Sequence, residues 1–116
     1  MPESMQIPAG WLREAGVQNF TPTRSSYHCT MPHELLALAD IEPVMRTKPL
    51  DGNGFAHDRM ISVLVGIRDG VVLPPVPVER IKPGAHLYRL RDGTHRFYAS
   101  LILGFSHLPA EICEPY

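Results

Sequence analysis

The sequence predicts one small domain in which helices alternate with short strands. Three observations carry this. Two segments, 57–68 and 94–103, space their apolar residues as helices do. Short apolar runs at 36–41, 71–78, 86–90 and 109–113 are bounded by proline or glycine and read as strands. The chain has 116 residues, 44% hydrophobic and 20% charged, which suffices for one core and not for two. Its 12 prolines are about twice the usual ~5%, so short elements and ordered loops are expected.

Residues 1–35 form an extension unlike the rest. It carries Pro2, Pro8, Pro22 and Pro32 and shows little periodicity beyond a short turn at 11–15. Trp11, Phe20 and Tyr27 favour an extension that wraps the core, because aromatic rings dock large apolar area. Residues 36–116 are the domain proper. Leu36 to Ile41 suits a strand stopped by Pro43, and 48–54 is a loop by its Pro, Gly and Asn content. Met60, Ile61, Leu64, Val65 and Ile67 make one helical face, which Asp58 can cap and Gly70 can end. Pro74, Pro75 and Pro77 place the next run at a sheet edge or strand start. A turn at Lys82-Pro83-Gly84 precedes the strand 86–90. In the second helix Phe97, Leu101 and Ile102 share a side, and Gly104 is its stop. The strand 109–113 closes the order.

Composition and motifs exclude several classes. A net charge of -1 argues against a generally basic nucleic-acid binder. Arg80, Lys82, Arg89, Arg91 and Arg96 nonetheless cluster, and guanidinium forks suit phosphate or carboxylate. Neither a secretory leader nor an apolar run of membrane-spanning length is evident, so no membrane partner is expected. Cys29 and Cys113 form no framework, and a reducing, cytoplasmic setting is expected. The histidines His28, His33, His57, His86, His95 and His107 match no zinc spacing. The glycine-rich and nucleophile-elbow motifs of common nucleotide-binding and hydrolytic sites are missing.

What remains is Leu90-Arg91-Asp92-Gly93-Thr94-His95-Arg96. A strand ends, glycine permits a sharp turn, and a helix begins. Free N–H groups and the positive end of the helix dipole make an anion site there. His95 and Arg96 fall in the first helical turn, where cations are unfavourable unless an anion is present. The turn reads either as a phosphate-binding turn or as a structural one carrying surface cations. Asp92 is either its N-cap, a metal ligand or a proton acceptor.

Residues 36–114 resemble the ParB/sulfiredoxin superfamily. The resemblance rests on the helix ending at Gly70, on Leu73-Pro74-Pro75-Val76-Pro77-Val78, and on Asp92-Gly93-Thr94-His95-Arg96. Ala99, Gly104 and Pro109-Ala110 follow at matching places. Leu38-Ala39-Asp40-Ile41-Glu42-Pro43 is similar to the family's opening segment. The resemblance implies a compact α+β fold with a mixed sheet and two principal helices. It also implies a site for ATP, CTP or ADP with Mg²⁺ at the turn. By position Arg91, Gly93, Thr94, His95 and Arg96 would hold phosphate. Asp92 would serve the metal or act as a base, and Glu42 is the second catalytic candidate.

The sequence departs from the family's patterns. Thr94 stands where sulfiredoxins carry a reactive cysteine, so sulfinic acid reduction is not expected. Thr94 and His95 replace the middle two residues of the Gly-Glu-Arg-Arg turn of partition proteins, which also continue into DNA-binding and dimerisation domains. The function expected is nucleotide-phosphate binding, with Mg²⁺-dependent hydrolysis or phosphoryl transfer as its catalytic form. The alternatives are a DNA-binding or nuclease module and a protein-interaction domain with a vestigial pocket.

Overall fold

The computed structural model describes residues 6–43, 55–82 and 84–113. The expected loop at 48–54 and the proline of the 82–84 turn lie outside them. The elements are α1 (Ala9–Ala15), β1 (Glu34–Ala37), a single 3₁₀ turn (Leu38–Asp40), β2 (Ile41–Glu42), α2 (His57–Arg68), β3 (Val76–Arg80), β4 (Tyr88–Leu90), α3 (Thr94–Ile102) and β5 (His107–Ile112). Five strands form one mixed sheet in the order β1-β5-β3-β4-β2. The β1/β5 and β3/β4 pairs are antiparallel, and β3/β5 and β2/β4 are parallel. The architecture is α+β. No helix among the described residues is long and apolar enough to cross a membrane.

Strand alternation builds the core. Val76 and Val78 are fully buried, as are Leu108 and Ala110 on β5. The register sets Val76 beside Ala110 and Leu36 beside Leu108. These side chains join Met60, Leu64 and Ile67 of α2 and Phe97 and Tyr98 of α3 in one cluster. Residues one step out of phase face away. On that face Arg89 lies between Glu42 on β2 and Glu79 on β3, at 3.3 and 3.7 Å.

Three expectations need adjusting. The run 36–41 is not one strand: β1 ends at Ala37, and the chain turns through the 3₁₀ segment before β2. β3 begins at Val76, directly after Pro74 and Pro75, so the prolines mark a strand start, and the strand is central in the sheet rather than at an edge. Pro77 is accommodated because the ladder to β4 starts one residue later, at Val78↔Leu90. Asp58 does not cap α2, whose N-cap is Ala56 with no side-chain hydrogen bond from its own residue. Asp58 instead meets His57 at 2.8 Å.

The N-terminal segment is bonded into this frame. Ala15, Val17 and Tyr27 are buried. The Ser25 carbonyl accepts the N–H groups of Ser106 and His107, and the His28 carbonyl accepts that of Leu73. The Arg68 guanidinium donates to the Ala15 carbonyl at 2.7 Å, closing the end of α1 onto α2.

Candidate functional site

The turn between β4 and α3 is shaped by Gly93. Its φ is +81°, the left-handed region, and a Cβ there would lie 2.8 Å from Val76 Cγ1. Glycine is therefore required twice, by conformation and by the buried valine beneath it. The Gly93 carbonyl accepts the Phe97 N–H at 2.9 Å, opening the helix. The N-cap glycine offers no side chain to cap α3, and no acid lies in its first turn. The N–H groups from Gly93 to Arg96 thus have no intrahelical acceptor, and the positive dipole end is uncompensated by its own helix.

Arg96 turns back toward the core. Its Nη1 donates to the carbonyls of Pro74 at 2.8 Å and Pro75 at 3.1 Å. Tyr27 donates its hydroxyl to the same Pro74 carbonyl at 2.6 Å. Burial pushes the Tyr27 hydroxyl up to about 12, against the opposing pull of the neighbouring Arg96 charge. Arg96, Tyr27 and the proline doublet form a clamp that fixes the entry to β3 against the start of α3.

His95 has a comparable task. Its Nε2 accepts the Ala56 N–H at 3.0 Å. A nitrogen that accepts carries no proton, so in this geometry the ring is neutral with its proton on Nδ1. The ring also lies edge-on to Phe55, with centroids 5.4 Å apart. His95 thereby links the starts of α2 and α3.

Arg91, Asp92 and Thr94 complete the turn. Arg91 and Asp92 are exposed and Thr94 is half-buried. No hydrogen bond or ion pair engages their side chains among the described residues, although the Arg91 N–H donates to the Pro77 carbonyl at 2.9 Å. Asp92 is not the N-cap, a position held by Gly93. Glu42 lies outside this cluster, in the row with Arg89 and Glu79. The structure thus brings Arg91 to Arg96 together and sets Glu42 in an ion-pair row across three strands.

For Mg²⁺ the donor set is sparse. No group of three His, Cys, Asp or Glu side chains that could hold a metal occurs among the described residues. Asp92 alone fits an ion that draws most of its ligands from phosphate and water, the usual habit of Mg²⁺.

Sequence reasoning missed Tyr27 and Pro74 as supports of the turn. The proline doublet was a legible signal, but its long-range partner in the extension was not. No protein-family model matches the chain, and no curated protein matches it.

Proposed function

We propose that this domain binds the phosphates of a nucleotide at the Arg91–Arg96 turn, in the manner implied by its ParB/sulfiredoxin-like resemblance. The observation that carries the reading is the start of α3 at a left-handed glycine that brings no capping side chain, with no acid in the first turn. Backbone N–H groups would meet phosphate oxygens, with the Thr94 hydroxyl and the Arg91 guanidinium beside them. His95 and Arg96 act here as positioning residues: the hydrogen bonds they make hold α2, β3 and α3 in register around the turn.

Catalysis extends the same reading to a Mg²⁺-dependent hydrolase or phosphotransferase acting on ATP, CTP or ADP. Bound Mg²⁺ would neutralise phosphate charge, and Asp92 is the side chain that would hold it or take a hydroxyl proton. Glu42 suits this less well, because Arg89 already engages its carboxylate. The DNA-binding alternative loses two cations of its basic cluster: Arg89 faces two carboxylates and Arg96 faces backbone carbonyls. The free Cys29 and Cys113 suit a reducing cytoplasm.

Calorimetric titration with ATP, CTP and ADP in Mg²⁺ tests the proposal. Saturable binding of at least one nucleotide, weakened by Arg91→Ala and Thr94→Val, is the expected result. Absence of binding to all three would discard it in favour of a protein-interaction domain. A salt-dependent shift with duplex DNA would favour the DNA module.

A further inference from the structure

A cleft that shares only Tyr27 with the Arg96 clamp lies beside the N-terminal segment. The segment from Phe20 to His28 and the end of α2 enclose a cleft of about 370 Å³. That volume is within the range of small-molecule sites. We propose that this cleft binds a small anion carrying an apolar ring.

The charge of the cleft sets the ligand's sign. Arg24, Arg68 and His28 line it, and no aspartate or glutamate is among its lining residues. The Arg24 side chain has no hydrogen bond or ion pair among the described residues, so its charge is available. Arg68 is different. Its Nε and Nη2 donate to Asp69, and its Nη1 donates to the Ala15 carbonyl. Asp69 offsets much of its charge, but the three bonds hold the guanidinium plane fixed. Arg68 has five N–H donors, and three are used, which leaves one each on Nη1 and Nη2 in a fixed plane. A donor already ordered loses less entropy on binding. His28 donates Nδ1 to the Gly70 carbonyl at 3.2 Å, fixing its ring and leaving Nε2 as its second polar atom.

The apolar part of the ligand follows from the rings. Phe20 and Phe105 both line the cleft, with centroids 5.7 Å apart and planes tilted by 54°. Phe105 is buried and Phe20 half-buried, so they form a wall on which a flat ring can rest. An inorganic anion would use only the cationic side, and a neutral ring only the aromatic side.

The test is an amide chemical-shift titration of the full chain with phenyl phosphate, inorganic phosphate and benzyl alcohol. Phenyl phosphate should give saturable shifts within 20–28 and 67–70 and bind more tightly than either other probe. Arg24→Ala should weaken it by at least about tenfold, the low end for loss of a charge-assisted hydrogen bond. Thr94→Val should leave that affinity unchanged, which separates this site from the α3 turn. Lack of saturable shifts in the cleft would overturn the proposal, as would shifts confined to 93–96. Equal affinity in Arg24→Ala, or equal binding of benzyl alcohol, would overturn its anionic character.

Discussion

His95 accepts the backbone N–H of Ala56 at 3.0 Å, so a side chain from the start of one helix serves the start of another. The acceptor nitrogen must be unprotonated. A lysine or arginine at this position could not replace it. His95→Ala should lower stability by about 1 kcal/mol, the usual net worth of one hydrogen bond. Chemical denaturation checks the value, and the Ala56 amide should exchange faster with solvent in the variant.

Arg96→Ala should destabilise the fold. A solvent-facing Arg96 would have allowed a variant that loses phosphate affinity alone. The guanidinium instead donates to two proline carbonyls and sits against Tyr27. Hydrogen bonds from a charged donor are worth about 1.5–3 kcal/mol. Denaturant unfolding should show a loss in that range, with Tyr27→Phe losing less because Arg96 still holds the Pro74 carbonyl. An unchanged midpoint for Arg96→Ala would mean that the clamp contributes nothing to stability.

These two residues mark the limit of what the sequence made legible. The buried face and the end of α2 followed from local signals: Met60, Leu64 and Ile67 recur on one face and are buried, and Gly70 takes φ +72° just beyond the end, whereas the Asp58 cap expected at its start is not made. The Gly93 turn was legible for the same reason, since strand, glycine and helix are adjacent in sequence. The side-chain directions of His95 and Arg96 were not. They depend on Ala56, Pro74 and Tyr27, partners 39, 22 and 69 residues away, which only the assembled sheet brings near. The division of 36–42 into two strands had no local stop signal either. It follows from sheet order, with β1 and β2 on opposite edges.

Two glycines with similar backbone angles separate strain from crowding. Gly93 has φ +81° and would place a Cβ 2.8 Å from Val76, whereas Gly70 has φ +72° with nothing within 4 Å. Gly70→Ala should cost about 1 kcal/mol for the left-handed conformation alone. Gly93→Ala should cost more than about 2 kcal/mol, because the buried β3 valine must also shift. Thermal midpoints of the two variants give the comparison; equal losses would remove the packing argument.

The tie between α1 and α2 should weaken as pH rises. His57 places Nδ1 2.8 Å from Asp58 and Nε2 2.9 Å from Glu14. Both partners accept, so the doubly protonated ring fits best. Hydrogen bonds donated to Asp58 and then to Glu14 raise its pKa above the ordinary 6.5. A raised folded value stabilises fully below the unfolded pKa, and the contribution fades as pH climbs through the folded one. Trp11 lies 5.0 Å from the His57 ring and is the only tryptophan. Its emission should therefore titrate with a midpoint above 6.5. The transition should vanish in His57→Ala, and a midpoint at or below 6.5 would contradict the ion-pair assignment.

Phosphate recognition by the backbone of the α3 turn is the central proposal. An amide chemical-shift titration of the full chain with the Mg²⁺ complexes of ATP, CTP and ADP tests it most directly. At least one nucleotide should shift the N–H signals of Gly93, Thr94, His95 and Arg96 saturably and before any others. Asp92→Asn should keep the binding and remove any turnover. Saturable shifts elsewhere with the turn unmoved, or no shift with any of the three nucleotides, would contradict the proposal.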